Sequence, residues 1–240
     1  RNQVKMPDHV RFPFDKILAK KFVIRFRERE IVPLEKFRTR GKICIVATEM
    51  LASMKNSIRP TRAEVSDIAN AVFNGTDAVM LSDETTVGNY PIDTVKTMAA
   101  ICENAEKHYN YDKTFDVTWE SNITETIAKS VVTAGKEIGA KVIVAATMTG
   151  KTAIKISNLK PITPILATVP NSKVAKSLAL NWGVYPSIVR IYNTTDEIVI
   201  DGIEKAKEFT NLTKGDNGIM TGVFPNTGVK VTNFMKIEEI

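Results

Sequence analysis

The sequence predicts an α/β fold with parallel strands, and three observations carry that expectation. From Gly41 onward, short apolar runs rich in β-branched residues alternate with segments of helical period. The connections are a few residues long and carry Gly, Pro, Thr or Asn where helices should start or stop. Near the end, two strand patterns flank Pro225-Asn226-Thr227-Gly228, a turn sequence that pairs them and makes the second sheet a five-stranded mixed one.

In chain order, Lys42–Ala47 reads as a buried strand and Thr61–Asn74 as a helix stopped by Gly75. Asp77–Ser82 reads as a second strand, and Pro91 opens a helix over Ile92–His108. These are two consecutive βα units. Tyr109–Asn122, aromatic and aperiodic, reads as a linker. The rhythm then resumes with a helix at Ile123–Ile138, a strand at Lys141–Ala146, a helix at Lys151–Leu159 and a strand at Pro164–Thr168. A helix at Ser172–Trp182, a strand at Ser187–Ile191 and a helix at Thr194–Phe209 follow, and strands at Asn217–Val223 and Lys230–Ile237 close the chain. The second half is a complete small domain. The first is not, because a two-stranded parallel piece leaves both edges unpaired even if residues 1–40 add a strand at Lys21–Phe26 and a short helix at Asp15–Lys20.

Composition bounds the function. Of 240 residues, 43% are hydrophobic and 25% charged, ordinary globular usage that excludes disordered and fibrous classes. No run approaches the roughly 18 apolar residues of a membrane span, and Arg1–Arg11 has no apolar signal core, so a cytoplasmic protein is expected. Cys44 and Cys102 make neither a disulfide framework nor a C-x-x-C pair. The net charge of +6 is concentrated: residues 1–40 hold twelve Lys and Arg against five acids, and the other 200 residues are nearly neutral. Such an arm can meet nucleic acid or another polyanion, or pair with acidic surface elsewhere; it carries no nucleic-acid-binding motif.

Four clusters can carry chemistry. In Ala47-Thr48-Glu49-Met50-Leu51, Thr48 follows a buried strand and either donates to a substrate oxygen or caps the next turn. Arg59-Pro60-Thr61-Arg62-Ala63-Glu64 reads as a capping box, Thr61 with Glu64, flanked by arginines that suit a phosphate or a neighbouring subunit. Ser82-Asp83-Glu84-Thr85 ends the second strand; its adjacent carboxylates point apart on an extended chain, which favours structure over metal. The fourth cluster, Thr147-Met148-Thr149-Gly150-Lys151-Thr152, joins a strand to a helix and suits a phosphate, without the spacing of a nucleotide-binding P-loop. Ordinary helix capping is the competing reading there, and the glycine-rich turn Gly222–Gly228 can approach the same place.

Together these residues resemble the pyruvate kinase family. A-T-E-M-L, R-P-T-R-A-E and the run from Asp67 to Thr85, with Gly88 and Tyr90-Pro91, match its motifs in order and spacing. The later T-G-K-T, L-A-L-N-W-G-V-Y-P, N-T-T-D-E and T-N-F-M-K-I are similar to its C-terminal domain, in the bacterial form. The resemblance implies the last two βα units of a TIM-barrel catalytic domain at 41–115, a regulatory α/β domain at 116–240 and, at 1–40, a divergent basic segment left from the barrel. It further implies phosphoryl transfer from phosphoenolpyruvate to ADP with Mg²⁺ and K⁺ in a homotetramer. Thr48 matches the family's substrate-contacting threonine. Thr147, Thr149, Gly150, Lys151 and Thr152 match the segment that grips a phosphate of a sugar-phosphate effector, beside Gly222–Gly228.

Departures accompany the match. Glu49 stands where glutamine is usual and Asp83 where glycine is usual. The family's substrate-binding arginine, its catalytic lysine with the metal glutamate, and its metal aspartate motif are not found in these 240 residues. The expectation is therefore part of a pyruvate kinase, with no metal ligand in this chain and inactive alone. The alternatives are a non-catalytic module that binds a sugar phosphate or nucleotide, and a polyanion-binding basic arm.

Overall fold

Two βα units and a five-stranded sheet have different opportunities for burial, and the structure, a computed structural model, shows how each uses them. It describes residues 41–47, 49–112, 122–225 and 231–240. The strand expected at Lys21–Phe26, the helix at Asp15–Lys20 and most of the linker lie outside the described residues. The described residues fall into two compact units, 41–112 and 122–240.

In the first unit, β1 (Ile45–Val46) and β2 (Ala78–Val79) run parallel, Ile45 paired with Ala78 and Val46 with Val79. Both are shorter than the sequence predicts. Each has only the other as a neighbour among the described residues, and side chains hold the flanking chain instead. The amide of Cys44 donates to Asp77 Oδ2 (2.9 Å), and Thr76 Oγ1 donates to the Cys44 carbonyl (2.9 Å). Beyond β1, Glu49 turns into the left-handed region (φ 52°) and a 3₁₀ turn forms at Ala52–Lys55. Beyond β2, the segment expected to be extended coils into α2 (Asp83–Thr86). The two adjacent carboxylates thus separate by helical geometry: Glu84 is 2% exposed and Asp83 lies open.

Helices α1 (Arg62–Phe73) and α3 (Pro91–Glu106) cover one face of the pair. Ile68, Ala71 and Met98 pack with Leu51, Met54, Val46 and Val79 there. Thr61 caps α1 in a capping box closed by Glu64, and Pro91 opens α3 at its first turn, as the sequence predicts.

Two glutamates tie the strand tips together. Glu84 accepts from the Leu51 amide (3.3 Å) and the Ser82 amide (2.8 Å), joining the loops after β1 and β2. Glu64, besides closing its cap, accepts from Ser53 N (2.7 Å) and Ser53 Oγ (2.5 Å). Burial alone would raise the Glu84 pKa; amide donors and the Lys55 ammonium outweigh it and hold the carboxyl below its ordinary value. Glu64 is lowered in the same way, its Ser53 and Thr61 donors outweighing burial.

In the second unit, α4 (Ile123–Glu137), β3 (Val142–Ala146), α5 (Lys151–Ser157), β4 (Ile165–Val169) and α6 (Ser172–Leu178) precede β5 (Val184–Ile188). Then α7 (Thr195–Phe209) leads to β6 (Asn217–Gly222) and β7 (Phe234–Glu239). The sheet order is β5-β4-β3-β6-β7, parallel except for the antiparallel β6–β7 pair. Central strands of such a sheet must be apolar on both sides, and β3 and β4 are buried at every position. Ile143, Ala145, Ile165 and Ala167 face α4, α5 and α6, whose Val131, Ile156 and Leu178 are fully buried against them. Val142, Val144 and Leu166 face the other way, onto Ile198 and Ala206 of α7.

Several boundaries in this unit differ from expectation. The helix expected over Ser172–Trp182 stops at Leu178, where Asn181 Nδ2 donates to the Ser177 and Leu178 carbonyls. The strand expected at Ser187–Ile191 begins instead at Val184, directly after Gly183. The strand therefore contains Pro186, which is tolerated because β5 is an edge strand, where a missing N–H can face outward. The last strand starts at Phe234 rather than Lys230; residues 226–230 lie outside the described ones.

Two outcomes follow. A carboxyl whose folded pKa is lowered stabilises the fold above its unfolded pKa, and that stability is lost as pH falls through the folded value. Urea unfolding of the first unit followed between about pH 5 and about pH 3 should show this loss, and Glu84→Gln should reduce its slope while leaving part of it to Glu64. An unchanged slope would separate Glu84 from acid stability. In the second unit, Thr194→Ala removes the capping box with Glu197 and should cost about 1 kcal/mol in urea unfolding, recovered largely by Thr194→Ser.

Candidate functional site

Groups at the C-terminal ends of parallel strands face a common rim, where α/β proteins place ligands. Each unit has such a rim.

In the first unit the rim is built from the loops after β1 and β2. Thr48, the expected substrate contact, lies outside the described residues, two positions beyond the end of β1. Its neighbour Glu49 holds a backbone conformation that L-residues adopt at a cost, a bend that turns the chain sharply at the strand tip. Around it the polar groups are engaged with one another. Lys55 Nζ binds Asp83 Oδ2 at 2.8 Å, Glu84 holds the Leu51 and Ser82 amides, and Glu64 holds Ser53 and Thr61. Arg59 and Arg62 are exposed beside the start of α1.

This donor set does not suit a divalent cation. Both oxygens of Glu84 already accept amide protons, Glu64 is held by two side-chain hydroxyls and two amides, and Asp83 is paired with an ammonium. Among the described residues no group of three or more His, Cys, Asp or Glu could hold a metal ion. Sequence reasoning found Glu64 as a cap and Glu84 as structural. It missed the Ser53–Glu64 and Lys55–Asp83 links, which join residues 11 and 28 positions apart and leave no periodic trace.

In the second unit the strand order reverses between β3 and β6, so the loops that follow them diverge at a switch point, the place where open α/β sheets take ligands. The loop 147–152 follows β3 and residues 223–233 follow β6. Gly150 stands at φ +83° as the N-cap of α5, its amide donating to Thr147 Oγ1 (3.1 Å), and a Cβ there would meet Leu178 Cδ2 at 2.9 Å. Gly222 lets β6 approach β3 closely; a Cβ would lie 2.9 Å from the Ala146 carbonyl oxygen. The Thr152 and Thr232 hydroxyls share a buried hydrogen bond of 2.7 Å, which fastens the two loops together.

Of the residues expected to hold an effector phosphate, Thr149 and Lys151 are exposed at the rim and Thr147 is partly so. Thr152 is 4% exposed and already bonded to Thr232. The rim also carries Met148, exposed at 57%, and Phe224, whose ring packs on Phe234 at 5.1 Å between centroids. No helix of the described residues is long and apolar enough to cross a membrane.

Comparison with known proteins gives a consistent result. A family model described as the pyruvate kinase barrel domain matches residues 23–95, and one described as the pyruvate kinase alpha/beta domain matches residues 125–238. The pyruvate kinase of Clostridium acetobutylicum is 41% identical over 210 residues, covering 86% of this chain and 44% of that protein. That of Staphylococcus haemolyticus is 43% identical over 200 residues, covering 82% and 34%. A crystal structure of a pyruvate kinase from Cryptosporidium parvum superposes with a TM-score of 0.79 at 36% identity, over 86% of this chain and 41% of that one. The chain therefore spans less than half the length of these relatives. It carries a fragment of the family's barrel followed by its α/β domain, and it belongs to the pyruvate kinase family.

Proposed function

We propose that this chain carries part of the active-site rim of a cytoplasmic pyruvate kinase, which moves a phosphoryl group from phosphoenolpyruvate to ADP. In that reaction the bond from phosphorus to the enol oxygen breaks, a bond to the terminal oxygen of ADP forms, and the released enolate takes a proton at carbon to give pyruvate. The observation that supports this reading most is the Glu84 clamp: it holds A-T-E-M-L against S-D-E-T, two motifs separated by 33 positions, through the Leu51 amide. Thr48 follows β1 by two positions in the sequence, and its hydroxyl would donate to an oxygen of the substrate.

Phosphoryl transfer is catalysed chiefly by positioned cations that neutralise developing charge. The family uses Mg²⁺ and K⁺. At this rim Glu84 and Glu64 are spent on amides and hydroxyls and Asp83 on an ammonium, which leaves Glu49 as the remaining carboxylate, so a set of ligands for these ions needs groups beyond the described ones. What this chain's residues do is orient the loop that bears Thr48 and hold the strand tips at a fixed separation.

The second rim, at the β3–β6 switch point, is proposed as the place of a phosphorylated effector, with Thr147, Thr149, Gly150 and Lys151 around the phosphate. Thr152 and Thr232 position the two loops. The parallel pairing of β3 with β6 and their close approach at Gly222 favour this reading, because they bring residues 147–151 and 223–225 to one edge of the sheet. Assembly into a homo-oligomer is proposed on family grounds.

The purified 240-residue chain, given phosphoenolpyruvate, ADP, Mg²⁺ and K⁺, should form no pyruvate above an enzyme-free control; formation above it would overturn the assignment of the ions to other sequence. Calorimetry with a hexose monophosphate and with a nucleoside monophosphate should show heat on the wild-type chain and a loss of affinity of about tenfold in Lys151→Ala, the loss of one charge-assisted contact. No heat with either ligand would remove the effector site.

A further inference from the structure

Scattered exposed apolar side chains are ordinary; gathered beside polar groups that can fix a ligand, they carry information. The rim at the ends of β3 and β6 gathers three of them: Met148 at 57%, Phe224 at 40% and Val231 at 41% exposed. They stand beside the exposed Thr149 and Lys151. The strand tips bring them together. A Cβ on Gly222 would lie 3.2 Å from both Ala146 Cβ and Phe234 Cε1, so the Phe234 ring reaches the end of β3. The Phe224 ring packs on Phe234 at 5.1 Å between centroids, and Met148 leaves β3 two residues after Ala146. The buried Thr152–Thr232 bond fastens Val231 to the same loop.

We propose that this apolar lip is a base subsite, so that the ligand of the second rim is a nucleoside monophosphate and not a bare sugar phosphate. The inference rests on the phosphate reading given above for Thr147, Thr149, Gly150 and Lys151. A planar base lies well against a thioether and a phenyl ring, both polarisable and free of hydrogen-bonding demands. A hexose does not. Its hydroxyls would lose water against Met148 and Phe224 and need acceptors in return. Among the described residues of the two loops there is no carboxylate and no glutamine to supply them. The hydroxyls of Thr152 and Thr232 are spent on each other, and Asn233 Oδ1 accepts from the Phe224 amide at 3.0 Å. Thr149 and Lys151 then serve the phosphate, and the apolar side chains serve the base.

Calorimetry on the full 240-residue chain with adenosine 5′-monophosphate and with ribose 5-phosphate tests this, because the two probes share phosphate and sugar and differ by the base. The nucleotide should bind about tenfold or more tightly, the worth of one stacked base. Met148→Ser and Phe224→Ser should each remove most of that difference and leave ribose 5-phosphate binding as it was. Lys151→Ala should weaken both ligands alike. Equal affinities for the two probes in the wild type, with Lys151→Ala still weakening both, keep the phosphate site and overturn the base subsite. So does a preference for the nucleotide that both serine variants retain. Heat from neither probe removes the phosphate reading and this inference with it. Should Phe224→Ser unfold the unit by stripping Phe234, the exposed Met148→Ser and the wild-type comparison decide.

Discussion

A parallel strand has to be covered on both faces and satisfied along both edges, and that one constraint separates the two halves of this molecule. The sheet of the second unit meets it in full. Its central strands β3 and β4 are buried at every position between two helical layers, with β5 and β7 as the edges. Among the described residues the first unit meets it on one face only, and its strands shrink to two residues each. Order at their tips is maintained by side chains, above all Glu64 and Glu84, which do by hydrogen bonding what flanking strands would do by ladder pairing.

That substitution shapes the chemistry. By residue type alone Glu64 and Glu84 look like ligands for a divalent ion; in the fold they are acceptors for amides and hydroxyls. An anionic side chain so occupied is a structural clamp, and its lowered pKa follows from the donors around it. The same economy governs the switch point of the second unit, where a buried threonine pair and a glycine fasten two loops and leave Thr149 and Lys151 facing outward.

Much of this was legible in the sequence for identifiable reasons. Capping boxes at Thr61–Glu64 and Thr194–Glu197 are local, so they read directly, and the structure forms both. The apolar runs of β3 and β4 stand out because a doubly covered strand cannot alternate. Illegible parts were those decided across the chain: the Ser53–Glu64 and Lys55–Asp83 links, the coiling of Asp83–Thr86 into α2, and the hydroxyl of Thr152 turned inward to Thr232. The start of β5 at Val184 was not legible because edge position, which makes Pro186 tolerable there, is a property of the sheet and not of the local sequence. Family membership rested on motif order, which survives where single positions such as Glu49 and Asp83 depart from the usual residue.

The central claim is that the strand-tip carboxylates of this chain are clamps and not metal ligands. Binding of Mn²⁺ to the 240-residue chain, followed by the paramagnetic resonance of the free ion, tests it most directly. The account predicts only weak uptake with no defined stoichiometry, unchanged in Glu84→Gln. A single tight site that disappears in Glu84→Gln, in protein that remains folded, would contradict it.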